Sequence, residues 1–385
     1  MRRCYESRLR GLVIHACMVA VAACTHDSED PFIPRYESER LKIGTSFDDG
    51  LCIGDRQMWE EHVDIIENVL GVSRKDAWVF VYLADEGREV AEDCGYEIED
   101  APFGLKGCWQ DPVVRGTLEA IPHELVHAWT LTDLDEPLPA LREGIAVRMT
   151  GTVPYLGAPN FSTDELFLTK FPVEKYDRAG HFVAWLLVEY GPETVMELFA
   201  RTSTRMSSDE LAAVFIEVVG KSPVDLVAAY ENSAKAYYPA MGAAACGQGP
   251  VIPWEGNVVS WPAEGSCSEG PFFGFESSEW WQRVTLEVTV PGAYQLDPGG
   301  RPASMTRCLT EPADEVEIPG LDPMLNGDWE HDTPLGDLDA AFGFGFGEDW
   351  ADFTLQLDPG IYEVWVERRS YENPQLEPEM KLRRL

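Results

Sequence analysis

Two histidines four residues apart, with a glutamate directly after the first, form the group best suited to chemistry. They lie in the stretch LEAIPHELVHAWTL as His123, Glu124 and His127. On an α-helix, residues four apart share one face, so both imidazoles can direct a nitrogen at one point. This geometry suits Zn²⁺, which as a catalytic ion needs a third protein ligand and an open position for water. Glu124 would then face that water as a general base.

The same pattern also fits two core histidines on an ordinary buried helix, because the residues around them are apolar. Burial nevertheless favours the metal site. Two histidines and a glutamate are costly to remove from water unless a partner such as a metal ion compensates them. Pro122, directly before His123, suits the first turn of a helix, where its missing N–H is not needed. A helix that carries a metal site is therefore the preferred interpretation.

A third ligand can be sought downstream, in the stretch LPALREGIAVRMTG. Its Glu143-Gly144-Ile145-Ala146 segment lies in or starts a second predicted helix. Together with the histidine motif, this segment resembles the gluzincin metallopeptidases, the thermolysin and aminopeptidase superfamily. Their zinc ligands are the two motif histidines and a glutamate in a Glu-Gly-x-Ala-like helix, so the resemblance implies that Glu143 is the third ligand. Glu136, in a predicted loop, is the fallback.

A second match to this superfamily lies in KYDRAGHFVAWLL. In the aminopeptidase branch, a tyrosine a few residues before Lys-Gly or Ala-Gly stabilises the tetrahedral oxyanion. The resemblance makes Tyr176 the first choice for that hydrogen-bond donor and His181 the second. Each also has a structural interpretation, Tyr176 as a partly buried tyrosine and His181 as a core histidine on an apolar helix. The resemblance covers residues 45–240, and it leaves aminopeptidase and endopeptidase activity both open.

The composition indicates a folded, strongly acidic protein. The chain has 385 residues, 45% of them hydrophobic, and a formal net charge of −37. This length allows one or two sizeable cores. No face rich in lysine or arginine is evident that could neutralise phosphates, so nucleic acid is not expected as a partner. The acidity is best explained by a solvated surface, and a monomer is expected.

The N-terminus predicts export. Four arginines within the first ten residues precede an apolar run over 11–23 that is too short to span a bilayer. The ending VAAC resembles the lipobox of bacterial lipoproteins, which implies cleavage before Cys24, lipid modification of that cysteine and anchoring to the cell envelope, at the outer membrane of a Gram-negative bacterium. Ordinary cleavage near Ala23 is the alternative. Residues 24–44 are predicted to be a polar tether.

Cysteine usage agrees with export. Six of the nine cysteines lie beyond the signal, and none has the Cys-x-x-Cys spacing of a metal or redox site. An oxidising compartment would pair them as disulfides. Connectivity does not follow from sequence, although the local pairs Cys94–Cys108 and Cys246–Cys267 are favoured. Cys52 and Cys308 would then be free or joined across domains.

The hydrophobic pattern divides the chain into two parts. An amphipathic helix is predicted from Asp55 to Gly71, a strand within Asp76–Asp85, and mainly helices from about residue 115 to 240. Ser207 with Glu210 forms a capping box, and Ser222-Pro223 starts another helix. After a linker over 241–256, valines and a leucine alternate with polar residues over 284–290, which indicates strands. The motif FGFGFG over 342–347 is interpreted as a strand or sheet edge.

These patterns predict an α+β protein. A mostly helical zincin-like metallopeptidase domain with a small N-terminal α/β lobe is expected over 45–240, followed by an antiparallel β-sandwich over 257–385. The predicted function is zinc-dependent peptide hydrolysis, with a peptide or protein as substrate. A non-catalytic surface lipoprotein on a metallopeptidase scaffold is the alternative, and a helix without metal is a third possibility.

Overall fold

A computed structural model describes most of the chain beyond residue 33. The described residues are 34–47, 50–74, 76–83, 86–95, 106–131, 136–150, 160–243, 245–262, 266–275, 279–297, 303–309, 311–313, 353–369 and 379–385. The predicted signal peptide, Cys24 and the FGFGFG motif lie outside them. From Pro34 onward the chain belongs to a single unit.

A five-stranded sheet forms the first part of the described chain. Its strands are β1 (Tyr36–Glu37), β2 (Leu41–Thr45), β3 (Ala77–Tyr82), β4 (Gly107–Gln110) and β5 (Val113–Thr117). In the order β1-β2-β3-β5-β4, the three central strands run parallel and both outer strands are antiparallel to their neighbours. Helix α1 (Ile53–Leu70) connects β2 to β3, and α2 (Gly87–Asp93) follows β3. The strand predicted within Asp76–Asp85 and the helix predicted from Asp55 to Gly71 are confirmed.

The predicted tether is shorter than residues 24–44. Its last part forms β1 and most of β2, and β2 pairs in parallel with β3. Leu41 and Ile43 on β2 are buried in the main core. The sequence signal is weak because this strand has only five residues and its pairing partner lies more than 30 residues further along the chain.

Helices fill the region between the sheet and residue 234. They are α3 (Ile121–Thr130), α4 (Pro139–Thr150), α5 (Thr163–Leu166), a 3-10 turn (Val173–Lys175), α6 (Tyr176–Tyr190), α7 (Pro192–Arg201), α8 (Ser208–Val219) and α9 (Pro223–Ser233). The predicted capping box is confirmed, since the Ser207 hydroxyl accepts a hydrogen bond from the Glu210 N–H while Glu210 bonds back to Ser207. Ser222 likewise caps α9. None of the helices in the described ranges combines the length and apolar character needed to cross a bilayer.

Two glycines allow α4 and α6 to pack closely. A Cβ atom at Gly144 would lie 2.6 Å from the carbonyl oxygen of Ala179, and one at Gly180 would lie 2.4 Å from a methyl carbon of Val147. Both distances are well below van der Waals contact, so only glycine fits at either position. The close approach brings Glu143, next to Gly144 on α4, near Tyr176 at the start of α6.

Two four-stranded antiparallel sheets follow residue 257. Their strands are β6 (Val258–Pro262), β7 (Phe272–Gly274), β8 (Glu279–Val288), β9 (Gly292–Asp297), β10 (Ala303–Cys308), β11 (Phe353–Leu357), β12 (Gly360–Arg369) and β13 (Glu379–Arg384). The orders are β10-β12-β8-β7 and β11-β9-β13-β6. Val284, Leu286 and Val288 of β8 are buried in a core that also contains residues of the second sheet, as the alternating pattern predicts. The part of the chain that the structure describes thus contains nine α-helices and three sheets, which fits the predicted α+β class.

The described residues contain three disulfides, which correct part of the predicted pairing. Cys94–Cys108 is confirmed, but Cys246 pairs with Cys308 and Cys267 pairs with Cys52. The prediction was wrong because it favoured nearby partners, whereas the fold places the start of α1 against β7. The Cys52–Cys267 bond joins residues separated by 215 positions. Three disulfides are consistent with an exported protein.

The first turn of α1 is bound to β7 by more than this disulfide. The Cys52 N–H donates to the Gly274 carbonyl oxygen at 3.0 Å, and the Gly274 N–H donates to Asp55 Oδ2 at 2.7 Å. Asp55 is only 5% exposed. Burial raises its pKa to about 7, although the hydrogen bond from Gly274 opposes the shift.

We expect Asp55→Asn to reduce the pH dependence of stability. In the unfolded chain an aspartate titrates at about 3.9, so folding favours the protonated carboxyl of Asp55. The free energy of unfolding should therefore fall as pH rises from about 4 to about 7, by about 4 kcal/mol at most. Asparagine keeps an acceptor for the Gly274 N–H and does not ionise. Urea unfolding between pH 4.5 and 8, in the presence of a chelator, measures the difference.

A matched control for this measurement is Asp64→Asn. Asp64 lies on the same helix with its side chain 56% exposed, so its substitution should leave the pH profile close to that of the wild type. Identical profiles for wild type and Asp55→Asn would show that burial of Asp55 does not affect its ionisation.

Candidate metal centre

Helix α3 places both motif histidines on one face. Pro122 occupies its first turn, and a hydrogen bond of 3.1 Å joins the Pro122 carbonyl oxygen to Nε2 of His62 on α1. The apolar residues of the helix are buried in the main core. His123 and His127 lie on the side that packs against α4, as their spacing of four predicts.

Glu143 on α4 completes a compact group with the two histidines. Its Oε2 atom lies 3.2 Å from Nε2 of His123 and 3.2 Å from Nε2 of His127, and the two Nε2 atoms are 3.1 Å apart. Glu143 is 3% exposed. These three residues form the one group of this kind found in the described ranges that could hold a metal ion.

The distances fit metal coordination. Around a four-coordinate ion with bonds of about 2.0–2.2 Å, ligand atoms lie about 3.3–3.5 Å apart. The three atoms of this group form a triangle of nearly that size, with its three sides almost equal. Nε2 of His127 faces the group, as these distances show. Its Nδ1 atom is buried without a partner in the described part of the chain. The residues therefore fit a metal ion bound by three protein atoms.

Arg142 orients the carboxylate of Glu143. Its Nε–H donates to Oε1 of Glu143 at 2.7 Å, while Oε2 faces the histidines. Burial would raise the pKa of Glu143, but the charge of His127 and hydrogen bonds from both histidines hold it well below its usual range. Glu143 is thus ionised, with Oε1 directed to Arg142 and Oε2 directed to the two histidines.

Glu124 lies beside the group without belonging to it. The side chain is 9% exposed, and burial raises its pKa even though the charges of His127 and His123 lower it. Strand β4 passes close to this side chain, since a Cβ atom added at Gly107 would lie only 2.9 Å from Cγ of Glu124. A glutamate with a raised pKa is suited to exchange protons near neutral pH.

Tyr176 packs directly on the metal-binding group. Its ring is nearly parallel to that of His123, with centroids 5.8 Å apart and planes at 5°, and its centroid lies 6.2 Å from that of Phe171. Burial, the negative charge of Glu143 and a hydrogen bond with that carboxylate raise the pKa of Tyr176. The hydroxyl is therefore protonated at neutral pH and able to donate a hydrogen bond.

Two other sequence candidates lie elsewhere. His181 is buried with its Nδ1 2.7 Å from the Tyr230 hydroxyl and its ring against Tyr238, and burial lowers its pKa to about 4. Glu136 is largely exposed, where it accepts from Thr204 at 3.3 Å. The structure thus brings Glu143, and not Glu136, to the histidines.

Sequence reasoning missed Arg142 and Phe171. Arg142 directly precedes Glu143, and neighbours in a helix point about 100° apart, so nothing in the pattern predicts that the two side chains meet. Phe171 lies five residues before Tyr176 in a connection, where no periodicity shows which side it faces. In both cases the only available signal was proximity along the chain to a predicted site residue.

The chain matches no protein-family model and no curated protein. The class of site is therefore defined by its own geometry: a buried His-His-Glu group able to hold a metal ion, with an ionisable glutamate and a tyrosine hydroxyl beside it.

Proposed function

We propose that the protein is a zinc-dependent peptide hydrolase. The observation that carries the proposal is the triangle of two imidazole nitrogens and one carboxylate oxygen, with Glu124 next to it. Two histidines and a glutamate are a donor set that zinc uses in hydrolytic sites, where three protein ligands leave one position open. The motif spacing that resembles the gluzincins supports the same class.

The protein residues have distinct tasks in this proposal. His123, His127 and Glu143 would hold zinc, which when bound would lower the pKa of a water molecule to about 7 and polarise a carbonyl group. Glu124 accepts the proton of the attacking water on its carboxylate and then passes it to the leaving amine. Its buried position favours this shuttle, because burial raises the pKa of Glu124 and so makes its carboxylate a stronger proton acceptor than an exposed one.

Tyr176 supplies the hydrogen bond to the oxygen on which negative charge develops. Its hydroxyl is protonated, and ring contacts with His123 and Phe171 restrict the side chain. The hydroxyl hydrogen, which bonds to Glu143 in the structure, would turn to the oxygen on which charge develops and stabilise the transition state there. His181, enclosed among Tyr230 and Tyr238, has no part in this assignment.

The proposal extends to architecture and location. We infer that the predicted zincin-like domain begins at β1 and extends to residue 240, with the five-stranded sheet as its N-terminal lobe, and that the two later sheets, which share one core, form a β-sandwich. The lipobox-like ending at Cys24 and the three disulfides support an exported lipoprotein of the cell envelope. Peptides or proteins at that surface are the expected substrates.

The decisive experiment on the wild type combines metal analysis with peptide cleavage. The purified protein should hold zinc at one ion per chain and cut members of a mixed peptide library. A chelator should abolish cleavage, and added zinc should restore it. Stoichiometric zinc without cleavage of any library member would favour the non-catalytic lipoprotein, and absence of zinc would contradict the metal site itself.

A further inference from the structure

Arg142 uses only part of its guanidinium group within the protein. Nε donates to Glu143, and the side chain is 35% exposed. Nη1 and Nη2 are neither enclosed in the protein nor hydrogen bonded to any described residue. As far as the described residues go, the edge that carries these two nitrogens is therefore available to a ligand from solution.

This available edge belongs to the proposed active site. Arg142 interacts electrostatically with Glu143, Tyr176 and Glu124, which include one metal ligand and both proposed catalytic groups. A short peptide whose reacting bond lies at the metal could thus place one of its other groups against Nη1 and Nη2.

Two other described cations near the site are already paired. Lys175 and Arg178 flank Tyr176 along the chain, and both contact Oε1 of Glu165, at 2.9 Å and 3.7 Å. Arg178 is 36% exposed, almost the same as Arg142. The two arginines differ in that Arg178 has a carboxylate beside its terminal nitrogen, whereas the terminal nitrogens of Arg142 have none among the described residues.

The charges of the site also favour an anionic ligand. The carboxylates of Glu124 and Glu143 would be balanced by one divalent metal ion, which leaves the charge of Arg142 uncompensated. Elsewhere the protein is strongly acidic, with a net charge of −37. An anionic group that reaches this site therefore gains a local attraction to Arg142 against the negative net charge of the protein.

We propose that Arg142 binds a carboxylate of the substrate through Nη1 and Nη2. A planar carboxylate matches two parallel N–H donors, and such charge-assisted pairs are stronger and more directional than contacts with a lysine. The carboxylate comes either from an acidic side chain near the cleaved bond or from the free C-terminus of a short peptide. This proposal rests on the proposed function, because it assigns the substrate class of the same site.

The test measures peptide binding to zinc-loaded, full-length protein with Glu124→Gln, which should bind without cutting. Fluorescent octapeptides are used in matched pairs: Glu against Gln at each position with an amidated C-terminus, and free acid against amide at the C-terminus. We expect the acidic member of at least one pair to bind about tenfold more tightly, the scale of a charge-assisted hydrogen bond. The pair that shows the preference identifies the source of the carboxylate.

Adding Arg142→Gln should abolish this preference, while Arg178→Gln, the matched control of equal exposure, should keep it. Zinc content is measured for each protein, because Arg142 also orients Glu143. If Arg142→Gln does not hold zinc, Arg142→Lys is tested in its place. Lysine keeps the charge but lacks the paired nitrogens, so the preference for the acidic peptide should be smaller than in the protein that carries Glu124→Gln alone. The proposal is overturned if zinc-loaded Arg142→Gln keeps the full preference for the acidic peptide. Where Arg142→Gln does not hold zinc, an unchanged preference in Arg142→Lys overturns it.

Equal binding of all matched pairs, or no binding of any peptide, also overturns it. The result is separable from the proposed hydrolysis. A preference that depends on Arg142, in a protein whose wild type cuts nothing, supports recognition and rejects catalysis. Cleavage by the wild type without any preference for acidic members rejects recognition alone.

Discussion

Replacing Glu124 with glutamine is expected to reduce peptide hydrolysis by about 10²–10⁴-fold while zinc remains bound. Glutamine has nearly the same size and fits the narrow space beside Gly107, where a larger residue would not. Its amide cannot accept the proton of an attacking water, so the proton shuttle is lost. The metal-binding atoms belong to other residues, which explains why zinc should stay. Steady-state cleavage rates and zinc content of the same preparations measure both effects.

Glu119→Gln is the matched control for this substitution. Glu119 lies just before α3 and pairs with Lys106 at the surface, where its side chain is 54% exposed. The same chemical change there should leave both cleavage and zinc content close to the wild type. Full activity in Glu124→Gln would contradict the assigned general base and point to a contaminating peptidase or to another residue of the site.

Replacing Glu143 with glutamine is expected to weaken zinc binding by at least about 100-fold, because even partners that only orient metal ligands contribute about 10–100-fold. The amide removes the negative charge that attracts the ion, and it leaves Arg142 without its partner. Cleavage should fall with the loss of metal and return in part at high zinc concentration. Competition with a chromogenic chelator measures the affinity.

Glu136→Gln is the control here, since Glu136 was the second candidate for the third ligand. It lies at the surface near Thr204 and Arg205, so the substitution should leave zinc affinity unchanged. Loss of zinc from Glu136→Gln together with retention by Glu143→Gln would show that the loop glutamate is the ligand and that the observed triangle does not hold the ion.

The sequence predicted the local features of the site well. His123 and His127 share one face because a spacing of four fixes their relation within one helix, whatever the rest of the fold does. Glu143 was placed by resemblance and not by spacing, and its approach to the histidines depends on the packing of α3 on α4. Tyr176 depends on the two glycines that bring α4 and α6 together.

Long-range features were not accessible in the same way. The partner of Cys267 lies at the other end of the helical region, and nothing in the residues around Cys52 indicates that β7 packs there. The parallel strand β2 was assigned to a tether because its partner β3 follows a whole helix later. Such contacts form only when the complete chain folds, whereas periodicity and caps act within a few residues.

The Cys52–Cys267 bond closes the chain into a covalent ring that contains α3 and α4, and with them every proposed metal ligand. A protease that cuts one peptide bond anywhere inside this ring opens it without releasing a fragment. The two pieces of the nicked protein stay joined, and the packing that holds the ligands together need not be lost. If the protein is exported, as proposed, this ring would give it a tolerance to proteolytic cuts that stability alone does not provide.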